Sequence, residues 1–134
     1  MTDEQIALAR RAVACKGFRW MPGMLDPSGR RAMWVYPEDG IITWSHIPEN
    51  CVVQDADALP DLTDAATLGC LLALVWEAWG CAVITSPDYD YDDDEARQGP
   101  NVVGWRAVET VRWMPVGEGK TEAEALVAAL ERAP

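Results

Sequence analysis

Histidine and phenylalanine are almost missing from this chain: His46 and Phe18 are the single examples among 134 residues. General-base or imidazole–metal chemistry would therefore have to pass through His46. Basic residues are scarce as well, 11 Lys and Arg against 22 Asp and Glu, for a formal charge of −11. A polyanion gains no counterion-release free energy from another polyanion, so direct DNA or RNA binding is disfavoured and a basic partner favoured. No uninterrupted apolar run reaches the roughly 18 residues of a membrane helix, and no basic segment followed by an apolar run opens the chain. The expectation is a soluble, cytoplasmic protein without a membrane partner. The cysteines, Cys15, Cys51, Cys70 and Cys81, lack CxxC spacing, two of them in apolar patterns expected to be buried, and read as reduced core thiols.

What the chain does have is apolar bulk. Nearly half of its residues are apolar and seven are tryptophan, enough large side chains for one core without disulfides or a structural metal. A single domain over 1–134 is expected. "TDEQIALARRAVACKG" opens with a capping box at Thr2 and Gln5 and predicts a helix over Asp3 to Lys16, stopped by Gly17. "FRWMPGMLDPSGRRAMWVYPEDGIITW" alternates aromatic or aliphatic residues with polar ones around the turns DPSG and PEDG. It predicts three antiparallel strands near Phe18–Leu25, Arg31–Tyr36 and Gly40–Trp44, carrying Trp20, Trp34 and Trp44 as a cross-strand cluster.

"LPDLTDAATLGCLLALVWEAWG" gives the strongest helix, near 64–79, capped by Thr63 or Asp61 and ended by Gly80. It is apolar nearly all round and is expected to be the buried central helix. "CAVIT" predicts a short strand. "NVVGWRAVETVRWMPV" predicts one or two more, with Val103, Trp105, Ala107, Val111 and Trp113 pointing inward. "GKTEAEALVAALERAP" repeats the capping box at Thr121 and Glu124 and predicts a last helix, Glu122 to Arg132. The fold class is α+β: an antiparallel sheet of about five strands with helices packed on one face.

The densest chemical feature is "SPDYDYDDDEARQGP", read as an acidic, mobile loop over 86–100. Six carboxylates and two tyrosines fill Asp88, Tyr89, Asp90, Tyr91, Asp92, Asp93, Asp94 and Glu95. Without those six acids the balance is 16 against 11, so more than half of the net charge sits in eight positions. Asp88, Asp90 and Asp92 have the alternate spacing of a calcium loop. The match then fails, because Asp93 stands where the sharp turn needs glycine and Gly99 where a bidentate glutamate belongs. A solvated loop is the plainer reading. The sharper one is a partner-binding surface, carboxylates interleaved with amphipathic rings that suit an arginine-rich partner.

No catalytic constellation stands beside it. His46 adjoins Ser45 and lies five residues from Cys51, but adjacency supplies neither a base within reach of a nucleophile nor a group to orient the base. "GEGK" at Gly117–Lys120 resembles the end of a phosphate loop but lacks its first glycine, Met114 standing there, and reads as a glycine-rich turn. No catalytic residue, metal or cofactor is assigned, and a non-enzymatic role is expected.

"ALPDLTDAATLGCLLALVWEAWG" and "GKTEAEALVAALERAP" resemble small uncharacterised proteins encoded by tailed bacteriophages and prophages of high-GC proteobacteria. The resemblance covers about a third of the chain. It implies an accessory phage product acting in the host cytoplasm, a class that includes inhibitors of host defence. The function expected is binding of a basic host-protein surface by Asp88 to Glu95, anti-CRISPR-like in kind. The alternatives are a small hydrolase or ligand-binding domain with a tryptophan-lined pocket near His46, and a homodimer formed through the sheet edge or exposed aromatics.

Overall fold

A computed structural model describes residues 1–45, 58–90 and 101–134. His46, Cys51 and the stretch from Tyr91 to Pro100 lie outside the described residues. Within them the protein is α+β, with three helices and five strands divided between two antiparallel sheets. The chain falls into two compact units, Met1–Leu74 and Val75–Pro134.

The first unit opens with α1, Asp3–Ala14. Its capping box forms as the sequence predicts: the Gln5 amide donates to Thr2 Oγ1 and the Thr2 amide to Gln5 Oε1, at 3.2 and 2.9 Å. The helix ends before Gly17, because Cys15 turns to extended backbone and its thiol donates to the Arg11 carbonyl. Strands β1, Ala32–Val35, and β2, Ile42–Trp44, follow as a hairpin whose turn carries Gly40 at φ 72°.

The first strand of the expected meander, Phe18–Leu25, is absent. Pro22 has no amide to donate and Gly23 takes φ 100°, so residues 18–25 turn instead of extending. Only a single bridge, Leu25 to Arg31, survives. The single five-stranded sheet of the sequence reading is thus corrected to a two-stranded and a three-stranded sheet. The tryptophan cluster is corrected with it. Trp20 packs edge-on against Trp44 at 5.2 Å beneath the hairpin, whereas a bulge between Ala32 and Trp34 turns Trp34 outward to meet Tyr36.

Helix α2, Ala65–Trp79, starts in the first unit and ends in the second. Asp64, rather than Thr63 or Asp61, caps it by accepting from the Thr67 amide at 2.9 Å. The expected buried central helix is buried along one face only. Thr67, Leu71, Leu74 and Val75 are buried, while Ala66, Gly69, Ala73 and Trp76 are exposed along the opposite stripe. That stripe is apolar but mostly methyl-sized or smaller, so leaving it in water forfeits little area.

In the second unit β3, Val83–Asp90, pairs with β4, Asn101–Glu109, which pairs with β5, Pro115–Gly119. Helix α3, Glu122–Glu131, lies on this sheet and is the helix buried nearly all round, from Ala125 through Leu130. "GEG", expected as a turn, is the strand beneath it. A Cβ on Gly117 would overlap the Ala125 carbonyl oxygen and stand 2.5 Å from the Ala129 nitrogen, so helix and strand approach at backbone distance. Thr121 caps α3 from the Glu124 amide, but the Glu124 carboxylate accepts from the Lys120 amide, leaving half of the predicted capping box.

Candidate functional site

Two features of the second unit carry exposed chemistry. The first is the ribbon that ends at the acidic segment. Pairing of β4 with β5 stops at Trp105 and Gly119, whereas pairing of β4 with β3 continues to Asp90 and Asn101. Asp88, Tyr89 and Asp90 therefore stand on a two-stranded ribbon running past the edge of β5. Ser86 to Asp90, read from sequence as loop, belong to β3. Tyr91, Asp92, Asp93, Asp94 and Glu95 lie outside the described residues.

Along the ribbon Asp88 accepts from Arg106 Nε at 2.9 Å, a pair open to solvent. A bulge between Asp88 and Tyr89 inserts Val103 and exposes it, which corrects the inward placement expected of that residue. Tyr89 and Val102 are exposed as well. Val83 directs its carbonyl away from the ladder, to Trp76 Nε1 at 2.6 Å. By alternation the missing amide of Pro87 also faces away from β4, which is why proline is tolerated in this edge strand and blunts its pairing with other strands.

The second feature is a cleft of about 390 Å3 where the end of α2 meets the turn between β4 and β5. Gly80, at φ 68°, ends the helix and turns the chain into Cys81. Opposite, Glu109 is 6% exposed, and its carboxylate accepts from the Val111 amide at 2.8 Å and the Arg112 amide at 2.9 Å. The Arg112 amide is the main cause holding the Glu109 carboxyl below its usual range, with burial opposing and the Val111 amide and Arg112 charge assisting. The Cys81 thiol lies 4.0 Å from the same carboxylate. Thr110 ties the turn to the Ala82 carbonyl through its amide and hydroxyl, and Trp79 Nε1 donates to the Ala129 carbonyl at 2.8 Å. Val111 and Trp113, expected inward, are exposed at 71% and 65% because they belong to this turn and not to a strand. Trp113 adopts φ 58°.

Sequence reading missed this cleft. The signal was parity: Glu109 falls in the alternation with Trp105 and Ala107, so an inward strand was bound to bury an acid. That the acid would be satisfied by amides two and three residues on needed the turn itself.

In the first unit Arg31, Asp64, Thr67, Asp26 and Arg30 are committed to the fold. Arg31 donates to both oxygens of Asp64, at 3.1 and 3.2 Å, and to the Gly23 carbonyl at 2.6 Å. Thr67 Oγ1, donating to Asp64, accepts from the Leu25 amide. The Arg31 bond holds the Asp64 carboxyl at about 2, against 3.8 ordinarily. Asp26, 3% exposed, is pushed upward by burial, but bonds from Ser28 and from the Arg30 amide and guanidinium outweigh this and keep it low. Arg30 also lies over the Trp44 ring, 4.7 Å from its centre. Ser45, neighbour of His46, accepts from the Arg31 amide through its hydroxyl at 2.9 Å and so braces the hairpin.

Among the described residues no group of three or more His, Cys, Asp or Glu side chains gathers as a metal site, and no helix is long and apolar enough to cross a membrane. Comparison with protein-family models, curated proteins and solved structures returned no match.

Proposed function

We propose that this chain is a non-enzymatic, phage-encoded accessory protein that binds a basic surface of a host protein, a nucleic-acid-binding or defence component, through Asp88 to Glu95. The observation that carries the reading is the continuation of β3–β4 pairing to Asp90 and Asn101, past the end of β5. A carboxylate on a paired strand has already lost backbone freedom, so less entropy is lost when a cationic partner fixes it. Exposed Tyr89, Val102 and Val103 stand beside Asp88 and supply apolar area that charge alone lacks. A groove built for nucleic acid presents that mixture in complement, cations flanking stacking or apolar surface.

The test is affinity capture from host lysate with the parent and with a variant carrying Asp88, Asp90, Asp92, Asp93 and Asp94 as Asn and Glu95 as Gln. One host protein retained by the parent, lost by the variant and displaced by added duplex DNA is the expected result. Equal retention by both proteins, or none by either, contradicts the reading.

A further inference from the structure

We propose that the cleft between the end of α2 and the β4–β5 turn binds a small apolar carboxylate, an aliphatic or aromatic acid, with its anionic end at Arg112. Several observations of the second unit support it. The volume, about 390 Å3, lies in the range of small-ligand sites. The apolar part of the lining is supplied by Trp79, Met114, Pro115 and Val116, the last of these buried, beside the polar Glu109 and Arg112. These walls are also fixed in advance: Trp79 is held by the Ala129 carbonyl, and the turn by Glu109 and by Thr110. Preformed walls lose little freedom when a ligand enters.

The polar groups decide the charge of the ligand. Glu109 already accepts the Val111 and Arg112 amides and faces the Cys81 thiol, so its carboxylate is engaged in bracing the turn. The Arg112 side chain is exposed and makes no hydrogen bond or salt bridge among the described residues; its charge acts on Glu109 only through space, while its amide is bound to that carboxylate. A guanidinium at the mouth of an apolar cleft fits a carboxylate through two parallel bonds. The turn that bears it is otherwise costly, with Val111, Trp113 and Met114 exposed together and Trp113 at φ 58°. Apolar side chains grouped in that way at a cleft mouth are the mark of a surface that contacts something.

Octanoate is a suitable probe, with octylamine and octanol as its cationic and neutral counterparts. Calorimetry reads binding, and the rate of Cys81 alkylation by N-ethylmaleimide, followed by peptide mass spectrometry, locates it; Cys15 in the same sample is the control. The expectation is saturable octanoate binding that slows Cys81 alkylation and leaves Cys15 unchanged. Arg112→Gln should weaken it about tenfold, the loss of one charge-assisted pair. Met114→Glu, on the exposed rim, puts a like charge in the mouth and should abolish binding. No saturable binding, binding that leaves Cys81 alkylation unchanged, equal affinity for octylamine, or indifference to both substitutions overturns the proposal.

Discussion

Trp113 occupies left-handed backbone at φ 58° with its ring 65% exposed, so side-chain packing returns little for the conformation. A residue with a Cβ loses about 1–2 kcal/mol in that region, which glycine does not. Trp113→Gly is therefore expected to leave the unfolding free energy from urea titration unchanged or raise it by up to about 1 kcal/mol after the entropy of the freer unfolded chain is subtracted. A clear loss of stability would show that the ring packs against the fold. Asp64 gives a second test. Its folded carboxyl titrates at about 2 and its unfolded one near 3.8, so the stabilisation is complete above the unfolded value and is lost as pH falls through the window between them. Because Arg31 is partly open to solvent, the span is worth about 1–2 kcal/mol. Asp64→Asn should flatten the acid limb between those pH values, and an unchanged limb would remove Asp64 as its cause.

At the level of elements, the contact of α3 with β5 depends on an absent side chain. Gly117→Ala drives a methyl group into the Ala125 carbonyl and Ala129 backbone, neither of which can rotate away. The expected loss is about 2–3 kcal/mol or more by urea unfolding, at the upper end of overpacking costs. Gly29→Ala, where a Cβ meets nothing within 4 Å but φ is 85°, should lose only about 1–2 kcal/mol. Equal losses would mean that backbone angle, and not the helix above, sets the constraint at Gly117.

These elements also mark how far the sequence could be read. The span of α2 and the N-terminal caps of α1 and α3 were legible, because helix period and capping chemistry are local. The two sheets were not. Pro22 and Gly23 lay inside the strand expected over Phe18–Leu25, and the alternation that placed Val103, Val111 and Trp113 inward ran through a bulge and a turn it could not register. "GEG" read as a turn because glycine signals turns and close backbone approach alike, and only α3 above it decides which. Of the candidate site, the acids were plain in the sequence, but the ribbon presenting Asp88 to Asp90 rests on long-range pairing.

Over the whole molecule, charge is divided unevenly. Residues 75–134 hold 12 acids against 5 bases, a net of −7 of the total −11, and six of those acids fall between Asp88 and Glu95. Repulsion between copies opposes self-association through the ribbon, whereas a cationic partner is drawn to it from about a Debye length, near 8 Å at physiological salt. The most direct measurement is the dissociation constant for the captured partner as a function of salt, for the parent and for the variant neutralised from Asp88 to Glu95. The account predicts that parent affinity falls steeply as salt rises, and that the variant binds weakly with a shallow slope. Parallel slopes with similar affinities would contradict the assignment of the acidic ribbon as the contact.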